Sequence, residues 1–388
     1  MRKVCLLGAS GSIGTQTLDV MIKNPADFDL VCFSVGERTR KIASILKRFP
    51  NVQAICIKNK KKLSYYERKY PDIDFYSGDG GLLELLNYDA DMVVNALVGF
   101  VGLLPTLQAL EMNKTVCLAN KEALVVGGEL VNKILSSGSG KLYPIDSEHS
   151  AIKKCLMVSD KEVEKIVLTA SGGAFRKLSR EELVNVTPED ALKHPTWRMG
   201  NKITIDCATM VNKSFEVIEA HYLFNYPYDK IGIKLHDESM IHSYVVYNDG
   251  SLRLDEGKPD MRKPIKLALY EYLTPFETVT SNSLEGFNKY HFHDFDPKRY
   301  PIVSYAKMVI EQKGTYGAVF NAANEVAVRA FLNHEIPFLA IESIIEKLMM
   351  EHKNKKHLDY AEIKEIDAKT RQKASILVKN WGKSSCKC

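Results

Sequence analysis

The feature that most constrains this chain is a glycine-punctuated turn near its amino terminus. Val4-Cys-Leu-Leu7 is a short apolar strand, and Gly8-Ala-Ser-Gly11-Ser-Ile-Gly14 follows it at once. Thr15 to Lys23 then places Leu18, Met21 and Ile22 at helical spacing, and Leu30 to Val35 reads as a second strand. Strand, glycine turn, helix and strand make a βαβ unit. The glycines let backbone approach a pyrophosphate, and the helix amino terminus favours the anion through its dipole and N–H groups. The spacing is GxxGxxG rather than GxGxxG. Its position between strand and helix therefore carries the expectation of nucleotide binding more than the glycines do.

Further apolar strands are expected at Ala54–Ile57, Met92–Asn95 and Val116–Ala119, giving a doubly wound, Rossmann-like α/β sheet. Polar residues at the carboxyl ends of such strands face the ligand crevice. Asn120-Lys121-Glu122 follows the third of these strands; Lys121 is there either a site residue or a surface lysine. The second strand of the βαβ unit ends in Gly36-Glu37-Arg38-Thr-Arg40. An acid at this place normally holds an NAD ribose, whereas arginines accommodate the 2′-phosphate of NADP. Arg38 and Arg40 favour NADP, Glu37 speaks against it, and a solvated helix start explains all three equally simply.

At 388 residues the chain has room for two or three domains. A net charge of +5 permits small anionic substrates and does not suggest a nucleic-acid protein, for which a clustered basic face is expected. The eight cysteines include no CxxC pair and sit mostly in apolar runs, as expected of reduced thiols in a cytoplasmic protein, with Cys386 and Cys388 in a frayed tail. The chain enters a strand directly, so no signal peptide is expected. The apolar run Met92 to Leu107 is broken by Asn95, Gly99, Gly102 and Pro105, and no membrane span is expected there.

Beyond the sheet, Tyr143-Pro-Ile-Asp-Ser-Glu-His149 brings two carboxylates, Asp146 and Glu148, two residues apart. In extended chain both point to one side and would suit a magnesium- or manganese-like ion; a solvated turn is the plainer alternative. Ile166 to Ala170 is a strand leading into Ser171-Gly172-Gly173, a small anion nest. Ala174 to Asn201 is polar and irregular and holds His194-Pro195-Thr-Trp197, which fits a mobile lid. From about Thr209 a mostly buried helix is expected, with Asn212 and Lys213 one turn before Glu216 and Glu219. Residues 231–256 alternate as strands, a candidate dimer face; residues 275–300 look like an irregular linker. Helices are expected over Val303–Gln312, Ala322–Asn333, Leu339–His352 and Tyr360–Val378. The expected division is residues 1–146 for the nucleotide domain, 147–274 for a central α+β catalytic and dimerisation domain with the lid at about 174–201, 275–300 for the linker, and 301–388 for a C-terminal helical bundle.

Taken together, Gly8 to Gly14, Ala119-Asn-Lys-Glu122, Asp146-Ser-Glu-His149, Ser171-Gly-Gly173, His194-Pro-Thr-Trp197, Met210-Val-Asn-Lys213 with Glu216, and Asn321-Ala-Ala-Asn-Glu-Val-Ala-Val328 appear in one order. In this the chain closely resembles the 1-deoxy-D-xylulose 5-phosphate reductoisomerase family over nearly its whole length. The resemblance implies that Ser10, Gly11, Ser12, Ile13, Gly36, Arg38, Asn120, Glu122 and Gly200 hold NADPH, with Glu37 beside them. It implies that Asp146, Glu148 and Glu216 ligate Mg²⁺ or Mn²⁺. Lys121, Ser147 and Glu148 would contact the substrate backbone. Ser171, Cys207, Asn212 and Lys213 would bind its phosphate with His194, and Trp197 would cover it. The implied chemistry is a skeletal rearrangement by retro-aldol cleavage and re-addition, then hydride reduction of the resulting aldehyde in a homodimer.

Three departures stand out. Cys207 replaces the family's usual serine, and a thiol is a poorer donor than a hydroxyl. His236-Asp-Glu-Ser239 and Asp255-Glu256-Gly257 depart from the usual pattern in the strand-rich middle. Glu37 replaces a basic or neutral residue near the adenosine. Two other readings compete. A homoserine-dehydrogenase-like oxidoreductase shares the Ala-Asn-Lys strand end but needs no Asp146/Glu148 pair. A non-catalytic dinucleotide sensor would bind NADPH without consuming it.

Overall fold

The computed structural model describes residues 1–287, 289–356 and 359–385; Cys386 and Cys388 lie outside the described residues. The chain forms two compact units. The first comprises Met1–Ala123, Leu130–Ser147 and Asp260–Pro275, and the second Leu124–Glu129, Glu148–Pro259 and Phe276–Cys388.

The first unit is built on a parallel sheet of β1 (Arg2–Leu7), β2 (Phe28–Val35), β3 (Ala54–Ile57), β4 (Asp74–Ser77), β5 (Met92–Asn95), β6 (Thr115–Leu118) and β7 (Lys141–Pro144). Their order is β4-β3-β2-β1-β5-β6-β7. The strands β2, β3 and β5 are buried throughout, apart from one half-buried residue in β2, as parallel strands covered on both faces must be. Strand order reverses between β1 and β5, which is where such sheets bind ligands. The glycine turn leaves β1 at this point. Gly8 has φ +89°, and a Cβ there would lie 2.5 Å from the Ala96 carbonyl oxygen, so only glycine fits.

The segment Asp260–Pro275 returns to this unit from far along the chain. Its helix Arg262–Leu269 is tied by Arg262 to Asp19 at 2.6 Å. Two consecutive left-handed residues follow, Glu271 and Tyr272. They turn the Tyr272 hydroxyl onto the Pro144 carbonyl at 3.0 Å and stack its ring on Tyr143. Glu271 accepts from Lys141 at 2.9 Å. The end of β7, just before Asp146, is thereby clamped.

The second unit contains β8 (Val163–Ala170), β9 (Ile231–His236), β10 (Ile241–Tyr247), β11 (Leu252–Glu256), β12 (Val279–Ser281) and β13 (Phe292–Asp294). Their order is β12-β11-β10-β8-β9-β13, with β8 and β9 parallel and the other pairs antiparallel. Within 275–300, expected to be irregular, β12 and β13 form the two edges of this sheet; three-residue strands are held by pairing, not by local pattern. The C-terminal helices Ser304–Gln312, Tyr316–Leu332, Phe338–Glu351 and Tyr360–Ser385 meet the four helical expectations. Phe215 packs edge-on against Phe320 at 5.1 Å, and Phe331 against Phe338 at 5.5 Å.

One expectation is corrected. Asp146 and Glu148 are not in extended chain: β7 ends at Pro144, and the helix Ser147–Met157 begins immediately after Asp146. The helix expected from about Thr209 is Val211–Phe224; a further helix, Asn201–Thr209, precedes it, and the two are separated where Met210 takes a left-handed conformation at φ +65°. Among the described residues, no helix is long and apolar enough to cross a membrane.

Candidate active site

In the first unit, the nucleotide turn is held from two sides. The Gly8 N–H donates to the Ser34 hydroxyl and the Ala9 N–H to the Ser34 carbonyl, both at 2.8 Å, fixing the turn to β2. Lys41 donates to the Ser10 carbonyl at 3.2 Å and to the Thr15 hydroxyl at 2.9 Å. The helix Ser12–Lys23 is capped by Gly11 without a side chain, so backbone N–H groups, a positive helix end and the Lys41 ammonium gather at this turn, a setting that favours an anion. Ser10 is buried, Gly11 and Ile13 half-buried and Ser12 exposed. Gly36 follows β2, and Glu37 and Arg38 stand exposed beyond it.

At the end of β6, Asn120 is fully buried and caps the next helix, accepting from the Ala123 N–H at 3.1 Å. Its amide donates to the Leu97 and Gly99 carbonyls and to Glu122. It thus ties the ends of β5 and β6 together immediately before Lys121 in the chain. The Lys121 ammonium lies 2.6 Å from the Asp146 carboxylate.

In the second unit, Glu148 stands in the first turn of the helix Ser147–Met157. Its carboxylate and that of Glu216 offer oxygens within 4.8 Å of each other. Glu216 is only 2% exposed and accepts from Asn212 and Lys213 on its own helix. His149 donates from Nε2 to the Glu216 carbonyl at 2.9 Å, with Nδ1 3.4 Å from Glu219.

A second cluster forms at the end of β8. Gly172 and Gly173 have φ of +77° and +70°. A Cβ on Gly173 would lie 2.6 Å from the Cys207 carbonyl oxygen, so the helix bearing Cys207 packs directly on this turn. Lys213 donates to the Thr169 carbonyl, two residues before Ser171. His194 Nδ1 accepts from the Trp197 N–H at 3.0 Å, which leaves the proton on Nε2, 3.1 Å from the Ser171 hydroxyl. Burial, with the Arg176 charge adding, pushes the His194 imidazole down to about 4. The Trp197 ring lies 6.0 Å from that of His242. Ser171, His194, Cys207, Asn212, Lys213 and Glu216 are thus brought into neighbouring turns, while Gly200 is exposed at the start of the helix Asn201–Thr209.

Sequence inspection missed Arg176, Lys41 and His149. Arg176 donates to the Ser171 carbonyl at 3.4 Å and the Asp237 carbonyl at 2.9 Å, bracing the nest. It falls in a polar stretch where nothing local separates a bracing arginine from a solvated one. His149 stood inside a motif already singled out, and its burial was the missing clue.

Family models agree with this layout. One described as 1-deoxy-D-xylulose 5-phosphate reductoisomerase matches residues 4–128, and its C-terminal-domain models match 142–224 and 257–373. The reductoisomerase 2 of Bacillus thuringiensis subsp. konkukian is 46% identical over 375 residues, covering 96% of this chain and 98% of the relative. That of Listeria innocua is 42% identical over 381 residues, covering 97% and 100%. Among solved structures, the Zymomonas mobilis enzyme in complex with NADPH is 36% identical with a TM-score of 0.86, covering 97% of this chain and 99% of that one. A reductoisomerase in complex with NADPH, fosmidomycin and magnesium is 32% identical with a TM-score of 0.89, covering 98% of each chain. The chain belongs to the 1-deoxy-D-xylulose 5-phosphate reductoisomerase family.

Proposed function

We propose that Asp146, Glu148 and Glu216 hold one divalent ion, Mg²⁺ or Mn²⁺, and that Ser171, His194, Cys207, Asn212 and Lys213 bind the phosphate of the substrate handled there. The chain is an NADPH-dependent enzyme that converts 1-deoxy-D-xylulose 5-phosphate to 2-C-methyl-D-erythritol 4-phosphate in the non-mevalonate route to isoprenoid precursors. The observation that carries the metal assignment is the approach of the Glu148 and Glu216 carboxylates, with Asp146 two residues from Glu148 along the chain. The donor set fits a hard cation, since all three ligands are carboxylate oxygens and none is a thiolate or imidazole.

When bound, the ion polarises the substrate's carbonyl and hydroxyl oxygens and steadies charge that develops on them. NADPH supplies the hydride. The chain's own groups do the rest. Lys121, paired with Asp146, would bring a positive charge to a substrate oxygen bound beside that residue. His194 is neutral at pH 7 and offers an Nε2–H donor beside the Ser171 hydroxyl, and Lys213 would add the full positive charge that a phosphate attracts. Trp197, on the stretch from Ala174 to Asn201, covers the substrate and keeps water from reactive fragments. Ser10 to Ile13, Gly36, Glu37, Arg38, Asn120, Glu122 and Gly200 are the residues that would contact the nucleotide. We also propose a homodimer formed through the six-stranded sheet and a cytoplasmic location.

Full-length identity above 40% to reductoisomerases weighs against the homoserine-dehydrogenase-like and sensor alternatives. The test follows NADPH absorbance with 1-deoxy-D-xylulose 5-phosphate, with and without chelator. Substrate-dependent oxidation that the chelator abolishes and Mg²⁺ restores supports the proposal; full turnover under chelation overturns the metal assignment.

A further inference from the structure

Glu37 stands where an acid normally binds the ribose diol of NAD, yet the family uses NADPH. The structure gives Glu37 a different neighbour. Lys58 Nζ lies 3.6 Å from its carboxylate, with the two side chains 71% and 66% exposed. The pairing is imposed by the sheet. Lys58 directly follows β3, Val35 is in register with Ile57, and the Lys58 N–H donates to the Val35 carbonyl at 3.2 Å. The carboxyl ends of β2 and β3 therefore lie side by side, and Lys58 arrives next to Glu37 by backbone geometry. Around them the surface is cationic: Arg38 is exposed, and Lys62 reaches the Thr39 hydroxyl at 3.5 Å.

We propose that Lys58 is a cofactor-specificity residue: it neutralises Glu37 and offers its ammonium to the 2′-phosphate that distinguishes NADPH from NADH. The inference rests on placing the adenosine ribose at the end of β2. A lone carboxylate there would repel a phosphate dianion and hold a free diol. With Lys58 beside it, the carboxylate is compensated, and Arg38 and Lys58 together give the phosphate a positive seat. A sequence-only comparison of residue 37 reads the preference wrongly, because the compensating charge comes from the next strand.

The experiment measures kcat/KM and the dissociation constant for NADPH and NADH in wild type, Lys58→Ala, Lys58→Ala/Glu37→Gln and Arg38→Ala. Lys58 is exposed, so its removal does not threaten folding. Lys58→Ala is expected to lower the NADPH-to-NADH ratio about tenfold, through KM, and the added Glu37→Gln to recover about threefold of it, as for a charge-assisted contact. The effect should shrink at high salt. A ratio within about twofold of wild type in Lys58→Ala, with a clear loss in Arg38→Ala, overturns the role of Lys58 alone. No change in either variant overturns the placement of the adenosine as well.

Discussion

The Lys121 ammonium and the Asp146 carboxylate lie 2.6 Å apart, joining the ends of β6 and β7 at side chains only 10% and 12% exposed. Both charges are poorly solvated, and the pairing offsets part of that cost. Lys121→Met removes the cation that lies 2.6 Å from Asp146. The expected outcome is a fall in kcat of at least about 100-fold, with NADPH affinity preserved. Single-turnover kinetics and nucleotide titration check both halves.

The pH dependence of stability follows from His194. Its native pKa, pushed down to about 4 by burial and then by Arg176, lies below the usual value near 6.5. As pH falls from about 6.5 to about 4 the unfolded chain takes up this proton first, so stability declines over that window. Denaturation midpoints across it should fall less steeply in His194→Gln than in wild type. Equal slopes would remove His194 from the balance.

Cys207 lies on the helix packed against the Ser171-Gly-Gly173 turn, as a phosphate ligand requires. A hydroxyl donates better than a thiol, and a hydrogen bond to a charged group is worth about 1.5–3 kcal/mol. Cys207→Ser should therefore leave KM for the phosphosugar equal or lower it. A large rise in KM would place Cys207 elsewhere.

Gly8→Ala forces a Cβ to 2.5 Å from the Ala96 carbonyl at φ +89°. Left-handed strain of about 1–2 kcal/mol adds to overpacking of about 1–3 kcal/mol. A lower melting temperature and weakened NADPH binding are expected together, measured by thermal denaturation and nucleotide titration.

Much of this was legible in the sequence where local pattern and function coincide. The glycine turn announced itself because one motif sets both backbone path and anion site. Lys121 was visible as a polar residue ending an apolar strand. The Asp146 and Glu148 stretch was given the wrong local structure: Asp-Ser-Glu after a strand is also a helix-start signal, and the helix prevailed. Met210 broke a helix without the glycine or asparagine that usually marks a left-handed residue. The return of Asp260–Pro275 to clamp β7, the edge strands β12 and β13, and the pairing of Lys58 with Glu37 depend on contacts across long chain separations, which no local periodicity encodes.

The central claim is tested most directly by titrating Mn²⁺ into wild type and into Asp146→Asn, Glu148→Gln and Glu216→Gln, following binding by the loss of the free-ion magnetic resonance signal. One site per chain is predicted, with affinity weakened by at least about tenfold in each variant. Unchanged Mn²⁺ affinity in all three folded variants would contradict the account.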